Sequence, residues 1–153
     1  MLYTIPLIAH SYLRWAVLAL ALIVIARSIP AFLRGREWTK GDERLHQAFV
    51  GVVDLQFTLG VWMYLVTSPV SHAFFADFGA GVKQPVLRFF GLEHPLGMLI
   101  AVALVHIGRT RSKRAADGKL RHRRVWTFTL AALVMMAASI PWPILDAGRP
   151  LFR

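Results

Sequence analysis

The sequence contains no cysteine, and it has few acidic residues, with 8 aspartates and glutamates against 18 lysines and arginines. The absence of thiolates excludes covalent haem attachment through Cys-x-x-Cys-His, cysteine-ligated iron–sulfur clusters, disulfides and thiol catalysis. Charged residues of both signs make up only 17% of the chain, whereas soluble domains contain about 25%. The composition is therefore not typical of a soluble domain.

Long apolar segments take the place of the missing charge. Hydrophobic residues make up 56% of the 153 residues, and the mean hydropathy is +0.52. A membrane-spanning helix needs about 20 predominantly apolar residues. Four segments approach or exceed that length: about 5–33, 44–67, 89–108 and 125–142. We therefore predict an all-α fold, in which residues 1–153 form a single integral membrane four-helix bundle.

The placement of basic residues predicts the orientation of this bundle. They cluster in the loops after the first and third spans: Arg34, Arg36, Lys40 and Arg44, then Arg109, Arg111, Lys113, Arg114, Lys119, Arg121, Arg123 and Arg124. Because cytoplasmic loops of membrane proteins are enriched in lysine and arginine, both termini are expected outside. Such loops suit anionic membrane lipids, so no nucleic-acid partner is needed to explain the net charge of +10.

Two further segments fit a membrane protein. The N-terminus has no basic region before its apolar run, so we interpret it as a retained first helix and not a signal peptide. Residues 69–88 form the longest outer loop, between spans two and three, and contain Phe74, Phe75 and Phe78. Aromatic residues concentrate at membrane–water interfaces, and this loop is therefore expected to lie along the interface.

Histidines near the ends of the spans are the most informative polar residues. His10 and His94 both fall in the outer leaflet, about 9 Å and roughly 5–8 Å below the outer boundary at 1.5 Å of helical rise per residue. Two imidazoles at matched depth on neighbouring helices are what bis-histidine haem ligation requires. We therefore predict that His10 and His94 ligate one haem b iron between the first and third spans.

His106 and His46 form a second candidate pair, at about 23–26 Å and about 31 Å of depth. They would hold an inner haem between the third and second spans, so the sequence allows one or two haems. The alternative is that these histidines are interhelical hydrogen-bonding residues. His72 and His122 fall in predicted loops, where we expect them to be solvated.

Arg14, Asp54 and Gln56 are further polar residues inside the predicted spans. At depths of about 15, 20 and 17 Å, they are expected to form a buried Arg14–Asp54 ion pair assisted by Gln56, because a buried charge needs a partner. Alternatively, Arg14 or Arg88 neutralises a haem propionate. A further alternative is that Asp54 relays protons, or that it orients His106 as a hydrogen-bond acceptor.

Several residues near the predicted haem sites have two interpretations. Glu93 is expected to pair with Arg88, or else to accept a proton from a quinol. Four glycines suit either close helix packing or space for a porphyrin face: Gly51, Gly60, Gly91 and Gly97.

Five motifs resemble a family of small bacterial four-helix membrane proteins usually labelled cytochrome b-like. They are His10-Ser-Tyr-Leu-Arg-Trp15, Asp54-Leu-Gln56, Arg88-Phe-Phe-Gly-Leu-Glu-His94, Ile107-Gly-Arg109 and Pro141-Trp-Pro143. They run in order over almost the whole chain. The resemblance implies a multi-pass protein of the bacterial inner membrane that binds haem. Its motifs include His10 and His94 but not clearly His46 or His106.

Two classes of function follow from these observations. The first is a membrane b-type cytochrome that carries electrons to or from a quinone or a partner subunit; the residues leave open whether it is a quinone-linked oxidoreductase or an electron-transfer subunit. The second is a haem-free scaffold subunit or small proton-linked transporter with a His/Arg/Asp/Gln core. Because four helices are few for an independent transporter, the second function implies a homo-oligomer.

Overall fold

The fold is described from a computed structural model covering residues 2–151, in which four long helices make up most of the chain. The long helices are α1 (Thr4–Leu33), α2 (Lys40–Trp62), α6 (His94–Lys113) and α7 (Gly118–Ala138). Between α2 and α6 lie the short helices α3 (Pro69–Ala76), α4 (Phe78–Gly81) and α5 (Pro85–Arg88), and two π-helical turns, Met63–Thr67 and Phe89–Glu93. No strand occurs in residues 2–151, and the all-α prediction is confirmed.

Three continuous helical segments are long and apolar enough to cross a membrane. They are Thr4–Leu33, Lys40–Thr67 and Pro85–Lys113, of 30, 28 and 29 residues. Only 22–28% of the residues in their most apolar stretches are buried inside the chain. Apolar helices that leave most of this surface uncovered suit a hydrocarbon solvent. The prediction of several helices that are long and apolar enough to span a membrane is therefore confirmed.

Helix α7 does not meet the same criteria of length and composition. We predicted a fourth span at 125–142, but the helix ends at Ala138. The apolar residues 125–138 therefore span only about 21 Å of helix. The first two turns carry Lys119, Arg121 and Arg123, so the helix begins as a polar segment. The four-span count and the orientation of the termini stay predictions.

The four long helices pack around a core of small and aliphatic side chains. Helix α7 lies against both α6 and α1, α1 also contacts α2, and α2 contacts α6. Ala21, Ala101 and Ala132 are fully buried at these contacts. A Cβ at the position of Gly97 would clash with the Ser139 side chain at the end of α7. Small residues let helix backbones approach closely, which is typical of membrane helix packing.

One end of the bundle, here named the basic end, carries residues 34–39 and 114–117. Helix α1 ends where Gly35 adopts a positive φ of 64°. Helix α2 begins with a capping box, in which Asp42 N donates to Thr39 Oγ1 at 3.2 Å and Thr39 N donates to Asp42 Oδ2 at 2.9 Å. Asp42 also pairs with Arg27 at 2.6 Å and Arg36 at 2.8 Å. This carboxylate therefore ties the connecting loop to α1 and α2.

The opposite end, here named the α3–α5 end, is closed by the short helices. Phe74 is only 1% exposed, and it fills the space beside Gly81 and Gly91 where a Cβ would clash. Phe75 and Phe78 are instead 57% and 58% exposed. The predicted outer loop is thus helical, with one aromatic side chain in the bundle and two outside it.

Residues 139–151 fold back over the same end of the bundle. The carbonyl oxygen of Leu151 accepts a hydrogen bond from Arg14 Nη2 at 2.8 Å and from Trp15 Nε1 at 3.2 Å. The guanidinium of Arg149 lies 5.0 Å from the ring centroid of Phe90. The C-terminal segment therefore contacts α1 close to the first predicted histidine ligand.

Candidate functional site

His10 and His94 lie opposite each other at the α3–α5 end. His10 is in the second turn of α1, and His94 is the first residue of α6. Their ring centroids are 6.4 Å apart and the ring planes make an angle of 74°. Two metal–imidazole bonds of about 2 Å would place the ligating nitrogens about 4 Å apart and the ring centroids about 6 Å apart. The structure thus brings together the outer pair at a spacing that suits a shared metal ion.

The end of α7 determines the orientation of the His94 ring. Nδ1 of His94 lies 2.7 Å from the carbonyl oxygen of Ser139, the residue that caps α7. Terminal helix carbonyls have no partner within their own helix. Since a carbonyl only accepts, Nδ1 carries the proton in this bond, and Nε2 keeps the lone pair that a metal needs.

Two residues of α2 hold His10. Gln56 Nε2 donates to the backbone carbonyl of His10 at 3.0 Å. A Cβ on Gly60 would lie 3.0 Å from Cε1 of the imidazole, so the glycine lets the ring lie against the α2 backbone. Nδ1 of His10 is buried and has no hydrogen-bond partner in residues 2–151. A buried polar atom of this kind normally has a partner, and a bound group would supply one.

Most of the glycines near the pair serve helix packing. Gly60 accommodates His10, Gly91 accommodates Phe74 and Gly97 accommodates Ser139. At these three positions the structure therefore shows the close packing that was one of the two alternatives. Among the glycines on the four long helices, only Gly51 would carry a Cβ with no neighbouring atom within 4 Å.

The inner pair of His46 and His106 is not formed. His106 Nε2 lies 2.7 Å from Asp54 Oδ1 on α2, and Asp54 is eight residues, or about 12 Å, further along α2 than His46. His46 is only 5% exposed, and its ring lies 6.3 Å from that of Trp38. Asp54, and not His46, is therefore the hydrogen-bond partner of His106, and a second ligand pair stays a prediction.

The expected Arg14–Asp54 ion pair is also replaced by other contacts. Arg14 donates to Leu151 O, Asp54 accepts from His106, and Gln56 donates to the backbone of His10. The C-terminal segment supplies a partner for Arg14, a contact between residues 137 positions apart. Among our alternatives for Asp54, the structure forms the one in which it orients His106.

Arg88 and Glu93 form the expected ion pair. Arg88 Nε lies 2.6 Å from Glu93 Oε1, and the two side chains are 45% and 47% exposed. The pair spans the π-helical turn Phe89–Glu93, directly before His94. Phe89 from the same turn lies 6.0 Å from the His94 ring at an interplanar angle of 30°, so this turn positions an aromatic wall beside the imidazole.

Sequence reasoning missed a cluster at the basic end, centred on Trp38. His122 was expected to be solvated, but it is 0% exposed and its ring lies 4.9 Å from that of Trp38. Arg121 lies 4.5 Å above the Trp38 ring and also pairs with Glu43. Burial lowers the pKa of His122, which favours a neutral imidazole.

A helix-capping signal would have placed His122 correctly. Asp117 accepts a hydrogen bond from Leu120 N at 2.6 Å as the N-cap of α7. Aspartate is a strongly preferred N-cap residue. Beginning the last helix at Gly118 puts His122 in its second turn, where it faces the loop that contains Trp38.

Comparison of the chain with protein-family models, with curated proteins and with solved structures gave no match. The resemblance to cytochrome b-like proteins therefore rests on the motifs in the sequence alone. Residues 2–151 are shown to form an all-α chain with three helices that are long and apolar enough to cross a membrane.

Proposed function

We propose that this protein is a membrane b-type cytochrome whose haem is held by His10 and His94. The observation that supports the proposal is the pairing of these imidazoles, with ring centroids 6.4 Å apart in a bundle of apolar helices. Haem supplies one-electron redox chemistry when it is bound, while the protein supplies ligands, orientation and electrostatics. The proposed stoichiometry is one haem per chain, because His46 and His106 make different contacts.

The surroundings of His94 suit a residue that would hold a haem. Its Nδ1 proton is held by Ser139 O at 2.7 Å, and this type of bond raises the basicity of the other ring nitrogen and fixes the ring. Phe89 and Phe90 lie beside the ring, at 6.0 and 6.3 Å between centroids, and keep its environment apolar. Two histidine ligands, His10 and His94, would favour electron transfer over oxygen activation by a bound haem.

Positive side chains near the pair suit the acidic groups of the cofactor. Arg14 lies one helical turn from His10 on the same face of α1. Arg149 lies over Phe90 at 5.0 Å, while Arg88 is engaged by Glu93. Because Arg14 follows His10 by one turn on the same helix face, we assign propionate neutralisation to Arg14 in preference to Arg88.

The proposal includes a location and a route of electron flow. The protein would be a multi-pass protein of the bacterial inner membrane, with four spans and both termini outside, as the basic loops predict. It would exchange electrons with a quinone or with a partner subunit. Both exchanges require access to the α3–α5 end, where His10 and His94 lie.

A haem-free scaffold subunit is the second candidate. The bond between His106 and Asp54 favours it, since these side chains are 47% and 46% exposed beside the exposed residues Leu55 and Ile107. Ionisable residues in membrane helices usually face other protein or a water-filled cavity. A second subunit over this face, including another copy of the chain, would supply that environment.

Absorption spectroscopy of protein purified from haem-sufficient cells tests the proposal. We expect a Soret band, a sharp α band after dithionite reduction, and one haem per chain in a pyridine haemochrome assay. His10→Ala and His94→Ala should each lose most of the haem. His72→Ala, which changes an exposed histidine at the same end, should retain it.

Three results would contradict the proposal. A colourless protein from haem-supplied cells would favour the scaffold subunit. Two haems per chain would require ligands other than His10 and His94. Equal haem retention in all three alanine variants, with unchanged thermal unfolding, would show that the outer pair does not bind haem.

A further inference from the structure

A cavity of about 360 Å³ opens at the basic end beside the last turns of α1. It is lined by Ala26, Arg27, Pro30, Ala31, Arg34 and Arg36. Three of these six residues are arginines, and none is acidic. Arginine presents planar sets of N–H donors that match the oxygens of phosphate groups. The lining chemistry therefore suits a phosphorylated anion.

The buried side chain of Asp42 orients two of the three arginines, Arg27 and Arg36. This side chain is only 2% exposed, whereas those of Arg27 and Arg36 are 48% and 36% exposed. The carboxylate accepts one N–H from each guanidinium, at 2.6 and 2.8 Å, and leaves their other donors for a ligand. Arg34 is exposed and forms no ion pair with any residue from 2 to 151. Three positive charges and one negative charge leave a net charge of +2 at the cavity.

An apolar surface on α1 continues from the cavity toward the centre of the helix. Leu22 and Ile23 are 57% and 51% exposed, and Leu33, directly before Arg34, is 72% exposed. Ile23, Ala26 and Pro30 follow one another at spacings of three and four residues, which places them on one helix face. A free phosphate ion would have no contact with this surface, but a lipid acyl chain would lie along it.

We propose that this groove binds an anionic phospholipid, with the phosphate at Arg27, Arg34 and Arg36 and an acyl chain along Ile23 and Ala26. The basic loops predict that this end is cytoplasmic, and the cytoplasmic leaflet is the one enriched in anionic lipids. Leu33 ends the first membrane-length helix, so Arg34 and Arg36 follow directly at headgroup level. The proposal does not depend on haem binding.

Lipid retention by the purified full-length protein tests this site. The probes are phosphatidylglycerol, phosphatidylcholine and inorganic phosphate, added to the protein in neutral detergent, with native mass spectrometry and thermal unfolding as readouts. We expect phosphatidylglycerol to remain bound and to raise the unfolding temperature, while the other two probes do neither. Arg34→Gln should weaken retention about five-fold, the effect of one basic residue at a membrane surface.

Arg123→Gln is the matched control, because Arg123 is also exposed at the basic end and the substitution removes the same charge. It should retain phosphatidylglycerol as the unmodified protein does. Arg34→Gln is preferred to changes at Arg27 or Arg36, since those would also break ion pairs with Asp42.

Each of three outcomes would overturn the proposal. Equal losses in Arg34→Gln and Arg123→Gln would indicate general attraction to a basic surface. Stabilisation by inorganic phosphate as strong as that by phosphatidylglycerol would indicate a free-anion site. Full retention in Arg34→Gln would show that the lipid binds elsewhere.

Discussion

Nε2 of His106 lies 2.7 Å from Oδ1 of Asp54, and this hydrogen bond joins α6 to α2 on a half-exposed face of the bundle. The helices α2 and α6 lie in two of the three segments that are apolar and long enough to span a membrane. In hydrocarbon, each side chain alone would present an unsatisfied polar group. The pair therefore stabilises the contact between these two helices.

A double-mutant cycle will measure this bond. We expect Asp54→Ala and His106→Ala each to destabilise the bundle, and the double variant to cost less than the sum, with a coupling energy of about 0.6–1.7 kcal/mol. Unfolding in mixed detergent micelles supplies the free energies. Additive effects of the two substitutions would show that the bond contributes no stability.

Gly97→Ala should separate α6 from α7. A Cβ at this position clashes with the Ser139 side chain, and overpacking of this kind costs about 1–3 kcal/mol. Because Ser139 O also holds His94, the variant should also lose part of any bound haem. Gly51→Ala is the control: its Cβ meets nothing within 4 Å, so it should be neutral or stabilising by up to about 1 kcal/mol. Equal unfolding temperatures for the two variants would contradict the close contact.

Phe74→Ala should open a large cavity at the α3–α5 end. Phe74 is 1% exposed and fills the spaces beside Gly81 and Gly91, so we expect a loss of about 3–5 kcal/mol. Its neighbour Phe75 is 57% exposed, and Phe75→Ala should cost under about 1 kcal/mol. Thermal unfolding of the two variants in the same detergent compares them directly. A larger loss for Phe75→Ala would mean that the short helices pack differently.

His122 makes the stability of the basic end depend on pH. Burial lowers its pKa in the folded protein, so the folded state resists protonation that the unfolded chain accepts below about pH 6.5. Stability should therefore fall as the pH decreases through that value. In His122→Gln the loss of unfolding temperature between about pH 7.5 and about pH 5 should be smaller. His72→Gln, at an exposed position, should follow the unmodified protein, and the same pH dependence in all three proteins would contradict this role for His122.

The depths estimated from the helical rise were sufficient to predict that His10 and His94 lie close together. His10 and His94 are each within a few residues of a helix start at the same end, so the rise of about 1.5 Å per residue placed them correctly. For the inner pair, the estimated depths of His46 and His106 differ by about 5–8 Å, which exceeds the reach of an imidazole. The error of the depth estimate grows with distance along the span. Asp54 fell closer to the depth of His106, and it is the residue that bonds to it.

The all-α fold and the long apolar helices follow from the sequence. In hydrocarbon, every backbone group needs a hydrogen-bond partner within its own helix, and the long apolar segments of the sequence indicate helices of this kind. The positions of His10 and His94 near the starts of their helices also predicted that the two imidazoles lie close together. The tertiary structure alone decided the partners: Ser139 O for His94, Leu151 O for Arg14 and a packed Trp38 for His122. These contacts join residues 45, 137 and 84 positions apart, where chain folding and helix packing, and not local spacing, determine which atoms meet.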